Sequence, residues 1–418
     1  MATRTVQAAL AFMLAALACG ALAAPALQGA LPSPLPLFPA DNWWNLDITS
    51  APVDPNSAAF ITFIGPARGC HPDLGGDVSA GSDQNYGFSY IVVDGTQPKL
   101  SVQFQYSDES DGVDHATNTS FPFYPIPIEA ANLPHWVESG DPGNVDLRAS
   151  SDRHILVVDR DTRDLYELWN CWYDAAASQW NAGSGAFFDM NTNNRRPDGW
   201  TSADAAGLAI LPGLIRYDEA FGVGEIDHAF RVTLRASNNY YVFPASHRAG
   251  SNTSALPFGA RLRLKPGVDI SGYTPEVQKI FRAWKKYGLI LADNGSDMYI
   301  SGTYDNRWDN GVLNPAFRAI TAGDFEVIQL GWNPPPPAVS LLRNEMVTAL
   351  QPLTPALATF MPLNAGRDTH LATVANGDLD PQPVLTDSAH PLIFYALTSN
   401  GVLTLTKSLP TQSVRFGF

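Results

Sequence analysis

Residues with chemistry to offer gather in one central stretch. Residues 224–234 read Gly-Glu-Ile-Asp-His-Ala-Phe-Arg-Val-Thr-Leu, and side chains alternate between faces along a strand. Ile226, His228, Phe230, Val232 and Leu234 then share a core face, and Glu225, Asp227, Ala229, Arg231 and Thr233 share the other. Two carboxylates two residues apart stand roughly 7 Å from each other at about 3.3 Å rise per residue. A pair at that separation can flank a glycosidic bond, one as acid and one as base or nucleophile. Arg231 could orient one of them. The same pattern also describes a solvated polar face on which Arg231 balances charge, and His228 reads as a core histidine with its hydrogen bonds satisfied. Asp218 and Glu219 offer two further carboxylates upstream. Asp204, in the small-residue run 202–207, reads either as another acid or as a helix-start residue favoured by the macrodipole.

Other side chains extend the list. Of the 10 Trp, Trp43, Trp44, Trp169, Trp172, Trp180, Trp200 and Trp308 fall near turns or strand ends, and Trp43, Trp44, Trp200 and Trp308 are the candidates for substrate binding. Such rings can hold a sugar, and they equally fill β cores. Asp108, Asp111 and Asp114 alternate in a Gly-containing acidic loop whose oxygens could take Ca²⁺. The spacing is not that of an EF-hand, and a solvated loop has the same composition. No CxxC or HExxH is present and the 8 His show no ligand spacing, so zinc is not expected. Neither a GxSxG elbow nor a dinucleotide fingerprint after a strand occurs.

The elements that must position these residues read mostly as strands. The chain has 418 residues, only 16% of them charged, with 33 Gly and 33 Pro against 45% apolar residues. That composition excludes disorder and disfavours a helical bundle or coiled coil. Strands are predicted at 89–93, 99–106, 154–158, 165–172, 226–234, 240–243 and 261–264, with a hairpin across Asp159–Thr162. Dense turn signals between short strands indicate an all-β fold of the sandwich or jelly-roll kind with a few short helices. One helix stands out at 275–287: Thr274 can cap it, Pro275 suits its first position and Gly288 follows it. Its apolar face is Val277, Ile280, Phe281, Trp284 and Tyr287. Asp293-Asn294-Gly295-Ser296 predicts a second hairpin, and a shorter helix is expected near 201–206.

Residues 1–24 carry Arg4, an apolar stretch and small residues before Pro25, the pattern of a signal peptide. Secretion, extracellular or periplasmic, follows as the expectation. No later run is long enough to span a membrane. A Pro-rich lead-in is expected at 25–40, the main β domain at 41–332, a Pro-rich linker at 333–340 and a small β-containing tail at 341–418. Cys70 and Cys171 either form one disulfide, closing a loop of roughly 100 residues, or are separate thiols. The net charge of −15, from 26 Lys+Arg and 41 Asp+Glu, argues against nucleic acid as partner.

Two resemblances add to this. Gly224-Glu225-Ile226-Asp227 resembles the start of the catalytic strand of laminarinase- and lichenase-type β-glucanases, which implies a jelly roll and a retaining hydrolase. Its second glutamate would fall at Ala229, where this sequence departs from the pattern. The stretches 38–47 (FPADNWWNLD), 198–219 (through ILPGLIRYDE), 224–231 and 287–301 (YGLILADNGSDMYIS) resemble a family of secreted bacterial proteins. That resemblance implies a single secreted domain over 38–330 and no particular activity. The expectation is a secreted monomeric glycan-active enzyme, a glycoside hydrolase acting on a poly- or oligosaccharide through carboxylates near 204–227. The alternative is a non-catalytic glycan-binding or cell-surface protein of the same fold.

Overall fold

The computed structural model describes residues 24–334 and short strand segments between Thr359 and Arg415. The expected leader peptide, most of the Pro-rich linker and much of the tail lie outside the described residues. The chain divides into two compact units, Met1–Trp332 and Asn333–Phe418. In the second, Thr359–Asn364 pairs antiparallel with Asp368–Thr369, Ala372–Thr373 and Pro383–Val384, and Thr406–Ser408 with Ser413–Arg415.

The first unit holds two large sheets. Tyr90–Val93 and Ile155–Asp159 are apolar runs buried on both faces, as strands inside a doubly covered sheet must be, and they pair in parallel. Asp164–Trp169 returns antiparallel to Ile155–Asp159 across the predicted hairpin turn, where the Asp159 carboxylate accepts the N–H groups of Asp161 and Thr162. Ser184–Asp189 and Ala26–Leu27 complete the edges. Tyr90, Val92, Leu156 and Val158 pack one way, on Leu37, Phe38 and the 208–214 segment. The lead-in is therefore built into this core. Ile91, Val93, Ile155 and Val157 pack the other way, on Tyr124, Trp136 and Trp180. That layer includes a small sheet of Val102–Phe104, Gln179–Ala182 and Trp172–Asp174.

The second sheet has six strands in the order Phe325–Val327, Arg261–Leu264, Leu289–Asn294, Phe230–Leu234, Tyr299–Tyr304 and His71–Gly75. Its apolar face is covered by the Pro275–Lys286 helix, which starts at Thr274 with Pro275 in its first turn. Val277, Ile280, Phe281 and Trp284 turn inward. Trp284 meets Phe317 of the Asn310–Ala319 helix at 5.0 Å between ring centroids. Helices make up 15% and strands 25% of the described residues, so the fold is all-β, with the Pro275–Lys286 helix on the outside of a sheet.

Four local expectations are corrected. The Asn294-Gly295 turn does not close a hairpin, because Phe230–Leu234 lies between the two flanking strands and pairs with both. The strand expected from 226 begins at Phe230; its neighbour begins opposite, at Leu289, and the Ala229 N–H goes to the Trp44 carbonyl instead. Residues 201–206 form turns in place of a short helix. Cys70 and Cys171 are both buried free thiols, sitting in different core clusters, so the bridge does not form. Burial pushes both thiols above their ordinary range, which removes the reactive thiolate. A thiol reagent should therefore leave the folded, leaderless protein unlabelled and modify both cysteines after denaturation, and a reductant should leave its melting temperature unchanged.

Candidate active site

The structure separates the residues that the sequence groups. Glu225 is exposed and forms a forked ion pair with Arg282 of the outer helix, at 2.9 Å for each bond. Asp227 accepts from the Tyr287 hydroxyl at 3.0 Å and lies 3.9 Å from Lys286. Both precede the strand, so neither shares a face with Arg231. The paired-carboxylate geometry expected of them is absent. Asp218 is exposed beside Arg216. Glu219 is a structural anion: it receives Arg216 at 2.7 Å and His228 at 3.1 Å. Burial pushes its carboxyl upward, but Arg216 and His228 outweigh that and hold it below the ordinary range. His228 is accordingly the satisfied core histidine.

Trp43, Trp44 and Trp308 are buried in the main core, out of reach of any sugar. Trp200 is half-buried, with the Arg196 guanidinium over its ring and His115 at its edge. The acidic loop does not converge as a cage. Asp111 pairs with Arg196, and Asp114 closes its own turn by accepting from Ala116 and Thr117. Among the described residues no group of three or more His, Cys, Asp or Glu side chains is placed to hold a metal.

Arg231 points inward to a different set of partners. Its side chain is only 4% exposed. Nε and Nη2 donate to the two carboxylate oxygens of Asp204 at 2.7 and 2.8 Å, Nη1 donates to Ser301 at 2.9 Å, and Nη2 reaches Asp293 at 3.1 Å. Asp204 is delivered by the 201–211 loop. Ser202 Oγ accepts the Asp204 N–H at 2.9 Å and donates to the Leu208 carbonyl at 2.6 Å. Gly207 turns that loop at φ +74°, where an added Cβ would stand 2.0 Å from Ser246 Oγ; only glycine fits. The loop ends on the other sheet, where the buried Glu167 carboxylate accepts the N–H groups of Ile210 and Leu211 at 2.8–2.9 Å.

Around this clamp lies a pocket of about 420 Å³ lined by Asp293, Asp204, Asp152, Asn294, His247 and Trp169, with Tyr106 at its rim. Asp293 keeps 25% of its side chain exposed to it. Burial and the neighbouring Asp204 charge push the Asp293 carboxyl up to about 7, against the pull of Arg231. Asp152 is exposed and is oriented by Trp169 Nε1, which donates to it at 3.2 Å. The Trp169 ring stacks with Tyr106 at 6.3 Å between centroids and 24° between planes. His247 Nδ1 donates to the Ala205 carbonyl at 2.8 Å, leaving Nε2 as the acceptor of the neutral ring. Asn294 Oδ1 is buried with no hydrogen-bond partner among the described residues. An acid poised near neutrality, a second carboxylate and an aromatic wall can together donate a proton, accept one and hold a flat apolar ring.

Of the expected site residues, then, Asp204 and Arg231 come together and Glu225, Asp227 and Asp218 stay on the surface. Trp169, one of the rings that the sequence offers for a sugar, lines the pocket, and Asp293, Asp152, His247 and Tyr106 were not anticipated as site residues. The readable signal for Asp293 was a carboxylate at the end of the otherwise apolar strand Leu289–Ala292, which the turn reading of Asn-Gly obscured.

Two outcomes follow from these electrostatics. Arg231→Met leaves Asp204 as an unpaired buried charge and should cost about 3–5 kcal/mol in urea unfolding. Several groups also bind protons more tightly in the folded chain than in the unfolded one: Asp293 and Glu167 at about 7, Asp73 at about 6 and His154, held by Glu138, at about 9. The three carboxyls are raised chiefly by burial, whereas burial opposes the His154 shift and the Glu138 charge overcomes it. Stability contributed by a raised group is present below its unfolded value and is lost as pH rises through its folded one. The melting temperature should therefore peak at about pH 5 and fall progressively toward about pH 8.5. A scan that rises over that interval would contradict this.

Compared with family models, with curated proteins and with solved structures, the chain finds no match.

Proposed function

We propose that the chain is a secreted glycan-cleaving enzyme, a glycoside hydrolase whose active site is the pocket of Asp293 and Asp152. The observation that carries this reading is Asp293 itself. It is a pocket-facing carboxyl pushed up to about 7, which keeps its proton under mildly acidic conditions and can give it to a leaving oxygen. Asp152 serves as the second carboxylate. As the glycosidic C–O bond breaks, the Asp293 proton goes to the leaving oxygen, and the hydroxyl of a water ends on the anomeric carbon with Asp152 taking the water's proton. The Trp169–Tyr106 pair offers a platform for a sugar ring. Arg231 and Asp204 act as positioning residues, fixing where Asp293 sits. Export is supported by the leader-like residues 1–24, and no helix among the described residues is long and apolar enough to cross a membrane.

The test is a polysaccharide panel with product analysis. On whichever glycan is cleaved, Asp293→Asn should lower turnover about 10²–10⁴-fold without lowering the melting temperature, since the variant is the neutral isostere of a destabilised carboxylate. Glu225→Gln should leave turnover unchanged. Full activity in Asp293→Asn would overturn the assignment. Binding without cleavage would favour the non-catalytic glycan-binding reading, to which the same aromatic platform is suited.

A further inference from the structure

The polar face that carries Arg231, Ser301 and Asp73 changes character toward the start of its outer strands. His71 precedes Asp73 by two residues and Tyr299 precedes Ser301 by two, so alternation places both on that face, roughly 7 Å further along. They are direct cross-strand partners. Their rings lie 4.2 Å apart between centroids and tilted by 33°, one ring packed over the other. A cavity of about 640 Å³ opens beside them, lined also by Arg68, Arg318 and Asp297.

The charges here do not balance. Asp297 already accepts the Arg235 backbone N–H at 2.9 Å and the Arg235 guanidinium at 2.5 Å, and Arg68 stands 4.0 Å from the same carboxylate. Arg318, in the last turn of the Asn310–Ala319 helix, makes no side-chain hydrogen bond or ion pair among the described residues. Its charge bears on His71, whose ring burial and Arg318 together hold toward the neutral form. In a chain of net charge −15, one carboxylate, Asp297, is here shared between Arg235 and Arg68, and Arg318 has no counter-ion among the described residues.

We propose that this basin is a subsite for an acidic sugar residue, bearing a uronate carboxylate or a sulfate ester, on the glycan that occupies the Asp293 pocket. The inference rests on the glycan reading above and names its substrate class. Guanidinium forks match carboxylate and sulfate oxygens in bidentate fashion, and the outward ring of the His71–Tyr299 pair can pack against the sugar's apolar face. Asp293 and Tyr299 both pair with Thr233, from opposite sides of its strand, so the two regions stand two strand spacings, roughly 10 Å, apart on one face of the sheet, of the order of two sugar units.

Calorimetric titration of the leaderless protein at low ionic strength, where exposed charges are least screened, tests this. The probes are a trigalacturonate, a sulfated trisaccharide, neutral cellotriose and sodium sulfate. One of the two acidic sugars should bind at least about tenfold more tightly than cellotriose and than free sulfate, and which one binds identifies the acidic group. Arg68→Ala/Arg318→Ala should lose that preference, and Asp293→Asn should keep it. Equal binding of cellotriose, equal binding of free sulfate, or an unchanged double variant would each overturn the subsite. Cleavage confined to neutral glycans would leave the hydrolase standing and remove the subsite. Acidic-sugar binding that needs Arg68 and Arg318, with no glycan cleaved, would do the reverse.

Discussion

One buried cation sets the terms for the rest of the unit. Arg231 cannot be taken from water at a tolerable cost unless its fork is filled, and its partners come from three separate segments. Asp204 rides on the 201–211 loop, Asp293 ends the Leu289–Asn294 strand and Ser301 lies in Tyr299–Tyr304. Satisfying one guanidinium therefore fixes the loop against the sheet. That loop is in turn latched to the other sheet by Glu167 through the Ile210 and Leu211 amides. Polar bonds thus span the space between two sheets whose outer faces are held by apolar packing, and a bidentate charge pair sets geometry more sharply than apolar contact does.

The same clamp creates the asymmetry the site needs. Two carboxylates compete for one cation. Asp204 takes the fork and is wholly enclosed, while Asp293 keeps a single bond to the guanidinium and a window on the pocket. The favoured acid raises its neighbour through its own charge, so the two differ in role because they differ in access to Arg231. Trp169 contributes twice, its ring to the wall and its N–H to Asp152, so the platform and the second carboxylate are positioned by one side chain.

The fold class was legible from period-2 patterning and turn density, and the outer helix from its cap, its proline and its apolar stripe. These are local signals that the tertiary structure reinforces. What could not be read was partnership. Residues 225–229 alternate as a strand does, yet Leu289–Asn294 starts only opposite Phe230 and the further part of Tyr299–Tyr304 pairs with Ile215 instead, so Glu225 and Asp227 remain on the surface. Asn294-Gly295 has hairpin chemistry, yet a strand from 60 residues earlier takes the place between its arms. Arg231 was placed on the correct face of its strand, but whether that face meets solvent or a second sheet depends on the 201–211 loop, whose path is set by contacts distant in sequence. Cys70 and Cys171 show the same limit: compartment and count allow a bridge, and only the packing of each thiol in its own core excludes it.

The placement of Phe230–Leu234 between Leu289–Asn294 and Tyr299–Tyr304 also bears on how the chain reaches this structure. The turn at 295–298 joins two arms that cannot zip together directly, so the most local nucleus the sequence offers in this region is not native. The sheet's centre must instead wait for a segment far up the chain to arrive, and its edge for His71–Gly75, further up still. Loop-closure entropy is spent before those pairings return anything. The six-stranded sheet should consequently assemble late and slowly relative to the Ile155–Asp159 and Asp164–Trp169 hairpin, which needs only its own turn. During that interval the apolar arms on either side of Asn294-Gly295 are exposed to mispairing with each other.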